Sequence, residues 1–111
     1  MNLPKSLRFG PFKYTVEAIP EKDRDEVPYW GLYQEHRARI LMHPDREEDC
    51  VAETLLHEIF HGLFDMAHLD KAKTIRDYEE VIVDQLSVSM AQFMRDNPKV
   101  VKDLIEVFSK S

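Results

Sequence analysis

The sequence predicts an α+β domain: a small antiparallel sheet of about three strands followed by three helices. Three observations predict it. The first third interleaves aromatic or β-branched residues with polar ones, as in "FKYTVEAI" (12–19) and in the pair "WGLYQ" and "ARILMH". From about residue 46 onward the apolar residues recur at helical spacing instead. A strong breaker, "DNP" at 96–98, then divides that second part. At 111 residues the chain suits one small domain, 1–111, and not two.

The elements follow in order. Residues 12–19 form a strand. "IPEKDRDEVP" is a charged loop closed by Pro28. Residues 29–43 form a hairpin that turns near Glu35 and His36. Asp45 with Glu48 three residues on reads as a capping box opening a helix from about 46 to 68. A second helix runs from about 75 to 95, with Val83, Leu86, Met90 and Met94 as its core side. Asn97 as N-cap and Pro98 at the first position open a third helix, whose apolar face is Val100, Val101, Leu104, Ile105 and Phe108.

Composition narrows the class of function. With 43% hydrophobic and 32% charged residues, the chain is globular rather than disordered. A net charge of −6 with no basic cluster argues against nucleic acid or an anionic membrane as partner. No apolar run reaches membrane-spanning length. The start, "MNLPKSLRFGPFKY", has no apolar signal-peptide core, so a cytosolic location is expected. The single cysteine, Cys50, allows no internal disulfide and reads as a small core thiol.

The chemistry lies in "TLLHEIFHGLF", 54–64. Apolar residues cover most of this first helix, which predicts extensive burial. The remaining stripe holds Cys50, Thr54, His57, Glu58 and His61. His57 and His61 are four apart, so they project from one face and can share a metal. Glu58 flanks the same site. That is the H-E-x-x-H arrangement: two imidazoles bind Zn²⁺ and the glutamate serves as general base. Zinc brings the pKa of bound water to about 7, and a neighbouring carboxylate takes its proton as the water attacks a carbonyl.

Catalytic zinc takes a third protein ligand. His68 does not fit the H-E-x-x-H-x-x-G-x-x-H pattern: it comes one residue late, and Gly62 directly follows His61. The second helix offers carboxylates in "YEEVIVDQLSVSMAQFM". Glu80 and Asp84 share a face, continued by the small Ser87 and Ala91, which would let helices approach closely. A Glu ligand with an Asp four residues on is the gluzincin arrangement, in which the Asp holds a ligating histidine through its far nitrogen. Glu80 is assigned as ligand and Asp84 as the histidine's partner; Asp84 as the ligand itself, and Glu79, remain open alternatives. Tyr78 and His68 are candidates for oxyanion stabilisation. Trp30, Tyr33 and Phe93 read as core or edge aromatics, and His36 and His43 as surface residues.

"TLLHEIFHGLFD" followed by "EEVIVDQLSVSMAQFMRDNP" resembles the small phage and prophage proteins of the gluzincin clan, minimal relatives of the ImmA/IrrE-type metallopeptidases. "LPKSLRFGPFKYTVEAI" and "RARILMHPDREED" are also similar, so the likeness covers nearly the whole chain. The resemblance implies a zincin-like fold, Zn²⁺ as cofactor, and a protein or peptide substrate, such as a transcriptional repressor. It makes "ARILMH" the sheet edge beside the cleft, where an extended peptide adds as a strand. The relatives carry Glu-x-x-Ala-Asn where this chain has "DQLSV", an alignment that favours Asp84 as ligand. The expected function is a zinc metallopeptidase; the alternative is a non-catalytic zinc-binding regulator or adaptor of the same fold.

Overall fold

The sheet has four strands rather than three, and it is mixed rather than antiparallel. The computed structural model describes residues 1–67, 78 and 81–110, the side chains of Val83, Asp84 and Ser87 excepted. Strands β1 (Ser6–Phe9), β2 (Phe12–Ala18), β3 (Gly31–Gln34) and β4 (Arg39–Met42) form one sheet in the order β1-β2-β4-β3. The additional strand is β1. A two-residue turn at Gly10 and Pro11 joins it to β2, with Phe9 opposite Phe12. Gly10 takes a φ of 62°, which suits the first central position of a type II′ turn.

The mixed character comes from β4. The hairpin of β3 and β4 forms as predicted, through a turn at Glu35–Arg37 and a left-handed Ala38. The chain crosses from β2 past the position of β4, however, so the returning β4 docks beside β2 in parallel, with Val16 opposite Ile40. The most apolar strand thereby takes a central place: Ile40 and Met42 are fully buried. The edge nearest the H-E-x-x-H helix is therefore β3, not the "ARILMH" strand.

One face of the sheet is covered. Leu7, Phe9, Tyr14, Val16, Ile40 and Met42 point into the core, with polar residues alternating outward along β2. Helix α1 (Glu48–Ala67) lays Val51, Ala52, Leu55, Ile59 and Leu63 on that face. It is less buried than its composition suggests, because Phe60 and Phe64 are exposed. The expected capping box does not form. Asp45 accepts two hydrogen bonds from Arg24, and Glu48 pairs with the Met1 amine at 3.0 Å.

Past the α1 terminus, Tyr78 and Val81 are helical, Ile82–Leu86 is a π-helix, and α2 runs over Ser87–Asp96. The earlier part of the expected second helix lies outside the described residues. The core side of α2 is not Met90 and Met94, which are exposed, but Ser89 and Phe93. A wheel drawn at a uniform 100° per residue does not carry its phase across a π turn. Ser89 donates to the Leu63 carbonyl of α1 at 3.3 Å, making it the small residue at the helix contact, whereas Ala91 is exposed. Phe93 stacks on Phe9.

Helix α3 (Pro98–Ser109) starts at Pro98 as expected, and buries Val100, Leu104 and Val107, leaving Ile105 exposed. Asn97 precedes it without a side-chain cap bond; its amide is used elsewhere, on the backbone of Arg8 in β1. Among the described residues no helix is long and apolar enough to cross a membrane.

Candidate metal centre

The site forms where α1 passes under the free edge of β3. The buried stripe of α1 follows three- and four-residue steps through Leu55, Glu58, Ile59, Gly62 and Leu63. Glu58 falls on that stripe and is only 5% exposed, while His57 and His61 stand on the adjoining, exposed side. The carboxylate is thus tucked between helix and sheet, rather than flanking an open polar face. The two imidazole centroids are 5.0 Å apart, and a ligand atom from each of His57, Glu58 and His61 lies within 4.8 Å of the others.

The strand above is built to receive the carboxylate. His43 N–H donates to the Trp30 carbonyl at 2.8 Å, and Leu32 lies opposite Leu41 in the antiparallel pair. Backbone groups alternate in direction along such a strand, so those of Gly31 and Tyr33 face the free edge. The Tyr33 N–H, on that edge, favours the charged form of the Glu58 carboxylate. Gly31 lets the strand approach: a Cβ there would meet Glu58 and Thr54 below van der Waals distance. Burial pushes the Glu58 carboxyl above its ordinary range; the neighbouring His57 and His61 and the Tyr33 N–H pull it down and do not prevail.

Tyr33 closes the other side. Its ring stacks on His61 with centroids 6.0 Å apart and planes 23° from parallel. Its hydroxyl donates to the Tyr14 hydroxyl at 2.8 Å and also faces the Asp65 carboxylate. Burial, then these hydrogen bonds, push the phenol far above its usual pKa, so it stays neutral.

Two shallow grooves meet at the cluster. One, about 340 Å³, is lined by Trp30, Gly31, Glu53, Thr54, His57 and Glu58. The other, about 460 Å³, runs from Tyr33 through Arg37 to His61, Phe64 and Asp65. Together they follow the β3 edge. A larger cavity, about 840 Å³, lies between the N-terminal segment and α3 and is lined by no candidate site residue. Volume does not locate chemistry here; the convergence of titratable groups does.

The donor set fits a metal: two imidazoles and a carboxylate, close together, with the carboxylate buried. It suits Zn²⁺, and other first-row divalent ions bind the same types of ligand. Of the other site residues predicted, Glu79, Glu80 and His68 lie outside the described residues, as does the side chain of Asp84. The Asp84 backbone is in the π-helix, which packs against α1. A face shared by Glu80 and Asp84 presumes four-residue spacing in an α-helix, and part of that interval is π-helical. Tyr78 is exposed. His43, expected at the surface, is buried, with Nε2 donating to the Arg24 carbonyl at 3.1 Å and its ring edge-on to Trp30. Trp30 is half exposed beneath the Arg46 guanidinium.

Sequence reasoning missed Gly31 and undervalued Tyr33. The signal for Gly31 was present: an isolated glycine inside a strand pattern marks a close backbone approach. Comparison with models of known protein families, with curated proteins and with solved structures finds no match.

Proposed function

We propose that this chain is a zinc-dependent metallopeptidase domain of zincin-like, gluzincin type, a minimal relative of the ImmA/IrrE enzymes, acting on a protein or peptide in the cytosol. The observation that carries the reading is the buried Glu58 carboxyl beside two exposed imidazoles whose donor atoms lie within 4.8 Å of it. A purely structural site has no need of a base, and nothing in core packing calls for a carboxyl on the buried stripe of α1.

His57 and His61 hold the metal, with Glu80 as third ligand and Asp84 orienting a histidine, or Asp84 itself as ligand. Bound zinc supplies Lewis acidity, acidifying water and polarising a peptide carbonyl. Glu58 then does the proton work. With its pKa raised toward the working pH, it accepts the proton of the attacking water and delivers it to the leaving amine. The outward-facing backbone groups of β3 suit an extended peptide added as a strand across both grooves.

The test is zinc content and peptide cleavage across variants. Wild type should hold about one equivalent of zinc, and His57→Ala less than about a tenth of one. Glu58→Gln should keep the metal and lose cleavage. A Gln variant that cleaves at the wild-type rate removes the mechanism. Zinc binding without turnover, and a biological effect unchanged in the Gln variant, would assign the chain as a zinc-binding regulator instead. Glu80→Ala should weaken zinc more than Asp84→Ala, for which a loss of about 10- to 100-fold is expected of an outer partner. The reverse order makes Asp84 the ligand.

A further inference from the structure

We propose that Tyr33 is a positioning residue that fixes the His61 imidazole from the edge of the sheet. The inference deepens the metal-centre reading and rests on it. The Tyr33 ring lies against that of His61, with centroids 6.0 Å apart and planes 23° from parallel.

This contact can position only if Tyr33 is itself immobile, and Tyr33 is held by Tyr14 and Phe9. Its ring stacks almost flat on Tyr14, with centroids 5.2 Å apart and planes 7° from parallel. Phe9 meets it edge-on at 6.3 Å. The hydroxyl donates to that of Tyr14, on the neighbouring part of the sheet, at 2.8 Å. A ring so pinned restricts the rotation of the imidazole beside it. Among the described residues the other ring against His61 is that of His57, which meets it edge-on at 5.0 Å, so without Tyr33 the imidazole would sample several rotamers, and metal binding would have to select one. A ligand's supporting contacts commonly change metal affinity by about 10- to 100-fold.

Tyr33→Met removes the aromatic plane. Tyr33→Phe keeps the plane and gives up only the hydroxyl. Zinc affinity is read by competition with a chromophoric chelator, and ligand geometry by the visible absorption of the Co²⁺-substituted protein. Tyr33→Met should bind zinc about 10-fold more weakly, with altered Co²⁺ bands, and Tyr33→Phe should restore both to within about two-fold. Wild-type affinity and spectrum in Tyr33→Met overturn the proposal while leaving the metal centre standing. A wild type that binds no zinc overturns both.

Discussion

Gly31 of β3 lies so close over Glu58 of α1 that no side chain fits between them: an ideal Cβ at 31 would sit 2.9 Å from Glu58 Oε2 and 3.1 Å from its Cγ. The same atom would be 2.7 Å from Thr54 Cγ2. The glycine is what allows a buried carboxylate to share space with a backbone edge.

Gly31→Ala should therefore displace Glu58 or lift β3. We expect a loss of stability of about 1–3 kcal/mol, the usual cost of overpacking. His57 and His61 are not in this contact, so zinc should still bind, while peptide cleavage falls by about 100-fold as the base moves off its geometry. Urea unfolding, zinc titration and cleavage assays check the three parts. An alanine variant with unaltered cleavage would show that Glu58 needs no such fit.

Glu58 also makes stability depend on pH. Burial raises its pKa in the folded, metal-free protein above the ordinary 4.5, which the unfolded chain retains. The folded state thus keeps a proton that the unfolded state releases. The group's contribution to stability is whole below the unfolded-chain pKa and is lost as pH rises through the higher folded value. Glu58→Gln cannot ionise, so in chelator-treated protein its Tm should match wild type at about pH 4 and exceed it at about pH 8. A Gln variant no more stable than wild type at the higher pH would mean that the ionised carboxylate is well accommodated.

How much of this was legible in the sequence depends on the separation of the partners. His57, Glu58 and His61 lie within five consecutive residues of one helix, so their proximity follows from helical geometry alone. The β3–β4 hairpin is likewise local. The contacts from β3 to α1 join residues more than twenty positions apart, and no periodicity encodes which strand lies over which turn. The position of β4 is of the same kind. Its apolar character was plain, but its parallel pairing with β2 depends on where the charged loop crosses, and the loop's sequence does not specify that. Asp45 and Glu48 had the letters of a capping box, yet Arg24 and the Met1 amine, both distant in sequence, hold them instead. The phase of α2 was lost at Ile82–Leu86 because helical wheels assume 3.6 residues per turn throughout.

Gly62 shows the same limit within α1. It occupies an interior helical position, where alanine is ordinarily better by about 1 kcal/mol. Here the Phe9 ring packs flat against the missing side chain, and an ideal Cβ at 62 would collide with ring carbons Cδ1, Cε1 and Cζ. Gly62→Ala should destabilise by about 1–3 kcal/mol despite the better helix propensity. Because Phe9 also abuts Tyr14 and Tyr33, some weakening of zinc affinity should accompany it. Stabilisation in urea unfolding would show that the Phe9 ring moves aside at little cost.

Asn97 secures the opposite edge of the sheet. The hairpin register leaves the backbone of Arg8 facing outward from β1. The Asn97 amide completes it: Oδ1 accepts from Arg8 N–H at 3.0 Å, and Nδ2 donates to the Arg8 carbonyl at 3.1 Å and to the Phe93 carbonyl at 2.9 Å. One buried side chain thus substitutes for a neighbouring strand and ties β1 to the junction of α2 and α3. Asn97→Ala leaves those groups without partners and should cost about 1–3 kcal/mol. Asn97→Asp is the sharper test. It keeps the acceptor for Arg8 N–H but turns an oxygen toward two carbonyls, so at neutral pH it should be at least as destabilising as alanine. Protonation restores one donor, so the aspartate variant should recover part of its loss as pH falls through the carboxyl pKa, while the alanine variant should not. Parallel behaviour of the two variants across pH would show that the Nδ2 bonds contribute little, and that the Arg8 N–H contact alone holds this edge.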